Sequence, residues 1–165
     1  MTWSEEDTTW MRRAIALARE GKALPGKNGI GCVIVRDGTV IGDGCNEVGL
    51  RHDATAHAEI VSIRRAGQKL QSDELRDAVL YTTLQPCGMC TMASIWAKIG
   101  RIVYGAGRGD VHPMYFEDRH LDTVDFIRDA FRHDLSLEGG LMVRQCAGLY
   151  VPPDAEIPKS QQFNL

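Results

Sequence analysis

Two short segments carry side chains that could do chemistry together. Thr55-Ala56-His57-Ala58-Glu59 offers an imidazole and, two residues on, a carboxylate, and Pro86-Cys87-Gly88-Met89-Cys90 offers two thiols three residues apart. One imidazole and two thiolates suit zinc, which in a catalytic site takes three protein ligands and keeps a position for water. Zinc lowers the pKa of that water to about 7. A carboxylate beside the metal, but not bound to it, can then carry protons. His57, Cys87 and Cys90 are therefore the candidate ligands for one Zn2+, and Glu59 the candidate catalytic acid and base. A closed structural site of four thiolates would need a second cysteine pair, and Cys32, Cys45 and Cys146 do not form one. A redox dithiol would leave His57 and Glu59 without a role.

Local structure must make these residues converge. Residues three apart in the first turn of a helix project to nearly the same side, so Cys87 and Cys90 belong at a helix start fixed by Pro86. The positive end of that helix favours thiolate. His57 and Glu59 are two apart, and two steps of roughly 100° would separate them in mid-helix. They too belong at a helix start, with Asp53 or Thr55 as the predicted cap.

Hydrophobic periodicity supplies the elements around them. Ser4 caps a helix whose Trp10, Met11, Ala14, Ile15 and Ala18 share a face, with Gly21 as its stop. Gly31 to Arg36, an Asp37-Gly38 turn and Thr39 to Asn46 read as a hairpin. A polar loop to Asp53 follows, then a helix over Thr55 to Ala66, a strand over Val79 to Thr83, a helix over Cys87 to Lys98 and a strand over Arg101 to Tyr104. A long irregular loop runs to Leu121. Asp122 caps a helix ending near His133, Leu135 to Leu137 is a short strand, and Gly140 opens a last helix before Pro152-Pro153. Alternating strands and helices after an opening hairpin imply an α/β fold with a mixed, about five-stranded sheet covered on both faces. The 165 residues suit one domain, expected over 1–153, with a polar tail over 154–165.

Composition narrows the class. Net charge is −3, which gives no basic face for a phosphate backbone, and Arg64-Arg65 read as helix-surface residues. No apolar run approaches the roughly 20 residues of a membrane span. The acidic N-terminus lacks the pattern of a secretory signal, so a cytoplasmic location is expected. The odd count of five cysteines is consistent with that.

His57-Ala58-Glu59 followed by Pro86-Cys87-Gly88-Met89-Cys90 is the H-x-E…P-C-x-x-C signature of zinc nucleobase deaminases. The chain resembles the cytidine deaminase superfamily from about Met11 to Tyr150. Arg51 to Ile60, Ile99 to Ala106 and Gln145-Cys146-Ala147 resemble bacterial tRNA adenosine deaminases. Tyr81-Thr82-Thr83-Leu84 is similar to fungal cytosine deaminase, and the segment after Tyr104 resembles bacterial guanine deaminases. The resemblance implies a three-layer α/β/α fold, one zinc per subunit and a homodimer or larger assembly. It also implies substrate-binding residues: Asn46 at the end of the second strand, Ala58 beside the zinc ligand, Asp118 as a carboxylate clamp with Glu117 as its rival, and Phe116 or Tyr115 stacking on the base. Gln85 departs from the Glu common before that proline. His112 and His120 read as surface histidines, and Phe163 as a residue that could close over a neighbouring site. Deamination of a free nucleobase, guanine first, is the expectation, with tRNA adenosine or cytosine and nucleosides as alternatives.

Overall fold

The computed structural model describes residues 2–23, 29–116 and 122–162. Helix α1 covers Glu5–Lys22. Ser4 accepts from the Asp7 N–H and Asp7 returns a bond to the Ser4 N–H, a capping box that fixes its start. Strands β1 (Gly31–Arg36) and β2 (Thr39–Cys45) form the predicted hairpin, with Asp37 and Gly38 both at positive φ in the turn. The predicted polar loop holds one helical turn, α2 (Val48–Arg51). Helix α3 (Ala58–Leu70) precedes β3 (Val79–Leu84), α4 (Gly88–Trp96) and β4 (Arg101–Ala106). Helix α5 (Thr123–Asp129) is capped by Asp122 as predicted but is shorter than expected. Strand β5 (Ser136–Gly139) and helix α6 (Val143–Ala147) follow, and a 3-10 turn covers Lys159–Gln161.

The five strands form one sheet in the order β2-β1-β3-β4-β5. β1 runs antiparallel to both β2 and β3, whereas β3, β4 and β5 are parallel. The carboxyl ends of β2, β3 and β4 therefore share one edge with the start of β1, and open α/β sheets bind ligands at such an edge.

Successive residues of each strand face opposite layers. Val33, Val35, Tyr81 and Val103 pack with Met11, Ala14, Ile15 and Ala18 of α1 and Cys146 of α6. Cys32, Ile34, Leu80 and Ile102 pack on the other side with Ala58 and Ala66 of α3 and Ala97. This is the three-layer α/β/α arrangement with the mixed sheet in the middle. No described helix is long and apolar enough to cross a membrane.

Candidate active site

His57 and Cys87 each occupy the residue just before a helix, with extended backbones at φ −63° and φ −70°. The predicted cap for α3 is thus corrected. Asp53 and Thr55 instead form a local turn, in which Asp53 Oδ1 accepts from the Thr55 N–H at 2.8 Å and its hydroxyl at 2.7 Å. That turn delivers the chain to His57, which itself takes the cap position. Its non-helical backbone is what allows His57 and Glu59 to reach one pocket although they are two apart.

His57 Nδ1 lies 3.7 Å from Cys87 Sγ and 3.6 Å from Cys90 Sγ. The three potential ligand atoms are all within 4.8 Å of one another, and Cys90 is buried. Bonds of about 2.0–2.1 Å to nitrogen and 2.3 Å to sulfur at tetrahedral angles span about 3.6 Å between ligand atoms, so the donor set fits zinc. The Cys87 thiol is pulled down to about 4, first by the hydrogen bond from Cys90 and then, against its own burial, by His57. Cys90 donates that bond, and this together with burial and the nearby Glu59 carboxylate pushes its thiol up. Zinc ligation takes both as thiolates.

Glu59 is 3% exposed. Its Oε1 accepts from the Thr82 hydroxyl at 2.8 Å, and its Oε2 lies 3.4 Å from Cys90 Sγ. Burial pushes the Glu59 carboxyl up, although the His57 imidazole opposes the shift. One oxygen is thus held by the sheet while the other faces the ligand sulfur. A carboxyl so placed can accept a proton from water at the metal and give it up again.

Thr82 is the functional side chain that the sequence reading passed over. It shares a face of β3 with Leu80, toward α3, and is fully buried. A buried hydroxyl needs a partner, and a buried Glu in the first turn of the facing helix is one, so a signal existed.

Asn46 lies beside the ligand loop, since the neighbouring Glu47 N–H donates to the Ala56 carbonyl at 2.9 Å. Its side-chain oxygen accepts from the Val48 N–H at 3.1 Å. Ala58 is fully buried at the first position of α3. Phe116 is buried in the α1-side core, with the Arg108 guanidinium 4.5 Å from its ring centroid. Tyr115 accepts from the Val151 N–H at 3.2 Å and packs edge-on against Tyr150. His112 is half-buried and not a surface residue as expected: its Nδ1 accepts from the Met114 N–H at 3.1 Å and starts a turn over Pro113–Tyr115. Glu117, Asp118, His120 and Phe163 lie outside the described residues.

Arg51 of α2 and Arg64 and Arg65 of α3 all have carboxylate partners. Arg64 meets Asp53 at 3.1 Å, Arg65 meets Glu47 at 2.8 Å, and Arg51 also pairs with Glu47.

Residues 4–106 match the family described as the cytidine and deoxycytidylate deaminase zinc-binding region. Guanine deaminase of Bacillus subtilis is 40% identical over 110 residues, covering 67% of this chain and 70% of that protein. The tRNA-specific adenosine deaminase of Buchnera aphidicola is 33% identical over 147 residues, covering 87% of this chain and 91% of that protein. A solved structure from work on A-to-I editing by tRNA:A34 deaminases superposes with a TM-score of 0.74 at 33% identity, over 86% of this chain and 99% of that one.

Proposed function

Because this chain belongs to the cytidine and deoxycytidylate deaminase family, whose members are zinc-dependent deaminases, we propose that it hydrolytically deaminates a free nucleobase, with guanine first. The reaction converts guanine and water to xanthine and ammonia. His57, Cys87 and Cys90 would hold the zinc, which when bound would supply a water acidic enough to attack at neutral pH. Glu59 would take one proton from the attacking water on Oε2 and pass it to the ring nitrogen as the water oxygen bonds to the amino-bearing carbon. It would then take the second proton from that new hydroxyl and pass it to the amine, whose C–N bond breaks to release ammonia and leave the carbonyl. The Thr82 hydroxyl keeps Oε1 out of the exchange. The buried Glu59, held by Thr82 at one oxygen and beside Cys90 at the other, is the observation that carries this mechanism.

Substrate contacts follow from the same pocket. With its oxygen committed to Val48, Asn46 presents its NH2 to a base acceptor. The Ala58 N–H, among the first of α3 and so without an intrahelical acceptor, is a second donor. Asp118, the carboxylate clamp that the resemblance implies, would accept from ring and exocyclic N–H groups. Stacking by Phe116 would require its ring to be uncovered from the α1-side core.

The net charge of −3, which gives no basic footprint, supports a small neutral base over a phosphate backbone. The second reading, tRNA adenosine deamination, draws on relatives that align over most of this chain. Both readings place the protein in the cytoplasm, where its five free thiols stay reduced. Both also take it as a homodimer, to which Trp96 and Phe131 offer exposed apolar surface.

Ammonia release from guanine by the zinc-loaded protein tests the reading, with Glu59→Gln as the control. The variant should keep its zinc and lose activity by at least about a hundredfold. No release from guanine by the wild type, together with deamination of an anticodon stem-loop at low salt, would transfer the assignment to tRNA.

A further inference from the structure

Gln85 sits between the end of β3 and Pro86, two residues before the ligand Cys87, and is 5% exposed. Its amide is used at both ends. Nε2 donates to Asp122 Oδ1 at 3.0 Å and to Thr123 Oγ1 at 2.9 Å, while Oε1 accepts the Arg108 N–H at 3.2 Å. Its own N–H donates to the Ala106 carbonyl at 2.8 Å. One side chain therefore ties three pieces together at the carboxyl edge of the sheet: the ligand-bearing loop, the Arg108–Asp110 turn after β4 and the start of α5.

The bonding pattern requires an amide. Two acceptor oxygens on one side and an N–H on the other call for a side chain that donates and accepts at once. A carboxylate at this position would still accept from Arg108, but it would face Asp122 as a second anion. A buried polar group set against a like charge is costly. Asp122 is already committed, since its Oδ1 also accepts from the Val124 N–H at 3.1 Å as the cap of α5. Arg108 in turn lays its guanidinium on Phe116. The clasp thus fixes backbone on two sides of the loop that leads to Cys87, and touches neither the metal ligands' donor atoms nor Glu59.

We infer that Gln85 is a positioning residue for substrate selection: it holds the Arg108 turn and the start of α5 against the Cys87 loop, and so sets the wall beside the zinc. The inference rests on the deaminase reading above. It predicts a specific failure, in which loosening the clasp weakens substrate capture while zinc binding and the chemical step persist.

The test is Gln85→Glu, assayed with whichever amino-heterocycle the wild type turns over, so that failure of guanine as substrate leaves this experiment intact. KM should rise about tenfold, with kcat within about twofold and zinc still stoichiometric. Adding Asp122→Asn removes the facing charge while its side-chain oxygen can still cap α5, and should return KM to within about threefold of wild type. An unchanged KM in Gln85→Glu, a defect that Asp122→Asn leaves untouched, or a loss confined to kcat would each overturn the inference. Should Gln85→Glu not fold, hydrogen exchange on Gln85→Ala decides. The Arg108 amide should exchange at least about tenfold faster, and unchanged protection there would overturn the clasp itself.

Discussion

At the scale of single residues, the site separates holding from reacting. His57, Cys87 and Cys90 present their donor atoms from two helix starts, and Glu59 stands behind them with one oxygen tethered and one facing Cys90. The tether makes Thr82 a positioning residue with a measurable signature. Thr82→Val keeps the shape and removes the donor, leaving a buried carboxylate oxygen without its bond. Hydrogen bonds to charged groups contribute about 1.5–3 kcal/mol, so kcat should fall roughly tenfold to a hundredfold while metal analysis still finds one zinc. Thr82→Ser retains the hydroxyl and should recover most of the rate. A Thr82→Val enzyme with wild-type kcat would show that Glu59 needs no such tether. Loss of a ligand acts differently: Cys90→Ala should abolish stoichiometric zinc as well as turnover, as read by metal analysis of the purified protein.

At the scale of elements, the sheet must admit a helix closely on each face. Gly31 of β1 lies under α1, where an added Cβ would meet the Ala14 carbonyl oxygen at 2.0 Å and the Ala18 nitrogen at 2.7 Å. Gly42 of β2 lies under α3, where the Ser62 carbonyl oxygen would be 2.3 Å away. Both obstacles are backbone and cannot rotate aside. Gly31→Ala and Gly42→Ala should each cost about 1–3 kcal/mol, read as a lower urea midpoint. Gly109→Ala, which meets nothing within 4 Å, should stay within about 0.5 kcal/mol of wild type. The same elements mark how much of the fold was legible. β1 and its turn have the predicted bounds because apolar pattern and Asp37-Gly38 agree. The zinc ligands were legible because their chemistry is local in sequence. The start of α3 was not, because a cap at Asp53 and a turn at Asp53 use the same side-chain oxygen. The end of α3 was not legible either: the helix runs past the predicted Ala66 to Leu70 and ends at Gln71, which takes the left-handed position itself at φ 50°. The Gln85 clasp joins residues 23 and 37 apart, a separation at which no sequence pattern operates.

At the scale of the whole molecule, the chemistry occupies one edge of the sheet and an ionic network closes the opposite edge. Arg101, at the amino end of β4, reaches Asp7 in the first turn of α1 at 2.6 Å and Glu138 of β5 at 2.8 Å. The Tyr81 hydroxyl donates to Asp7 from β3 at 2.9 Å. Asp7 is 5% exposed. Burial alone would raise its carboxyl, but Arg101, the capping contacts with Ser4 and the Tyr81 hydroxyl outweigh it and pull the group down to about 2. A carboxyl whose folded value lies below its unfolded value of about 3.9 stabilises the fold fully above that value, and the contribution disappears as pH falls toward 2. The shift corresponds to about 2 kcal/mol at neutral pH. Asp7→Asn should therefore lower stability by about that amount at pH 7 and remove much of the acid sensitivity between about pH 4 and pH 2, so that the two proteins converge in acid. Protonation of the zinc ligands would add its own acid dependence, so both proteins are compared metal-free, by urea unfolding at several pH values. Curves that stay parallel from pH 7 to pH 2 would show that Asp7 is not the group whose charge fastens α1 to the sheet. At neutral pH the zinc content of Asp7→Asn should match that of the wild type, because the network and the three metal ligands share no residue.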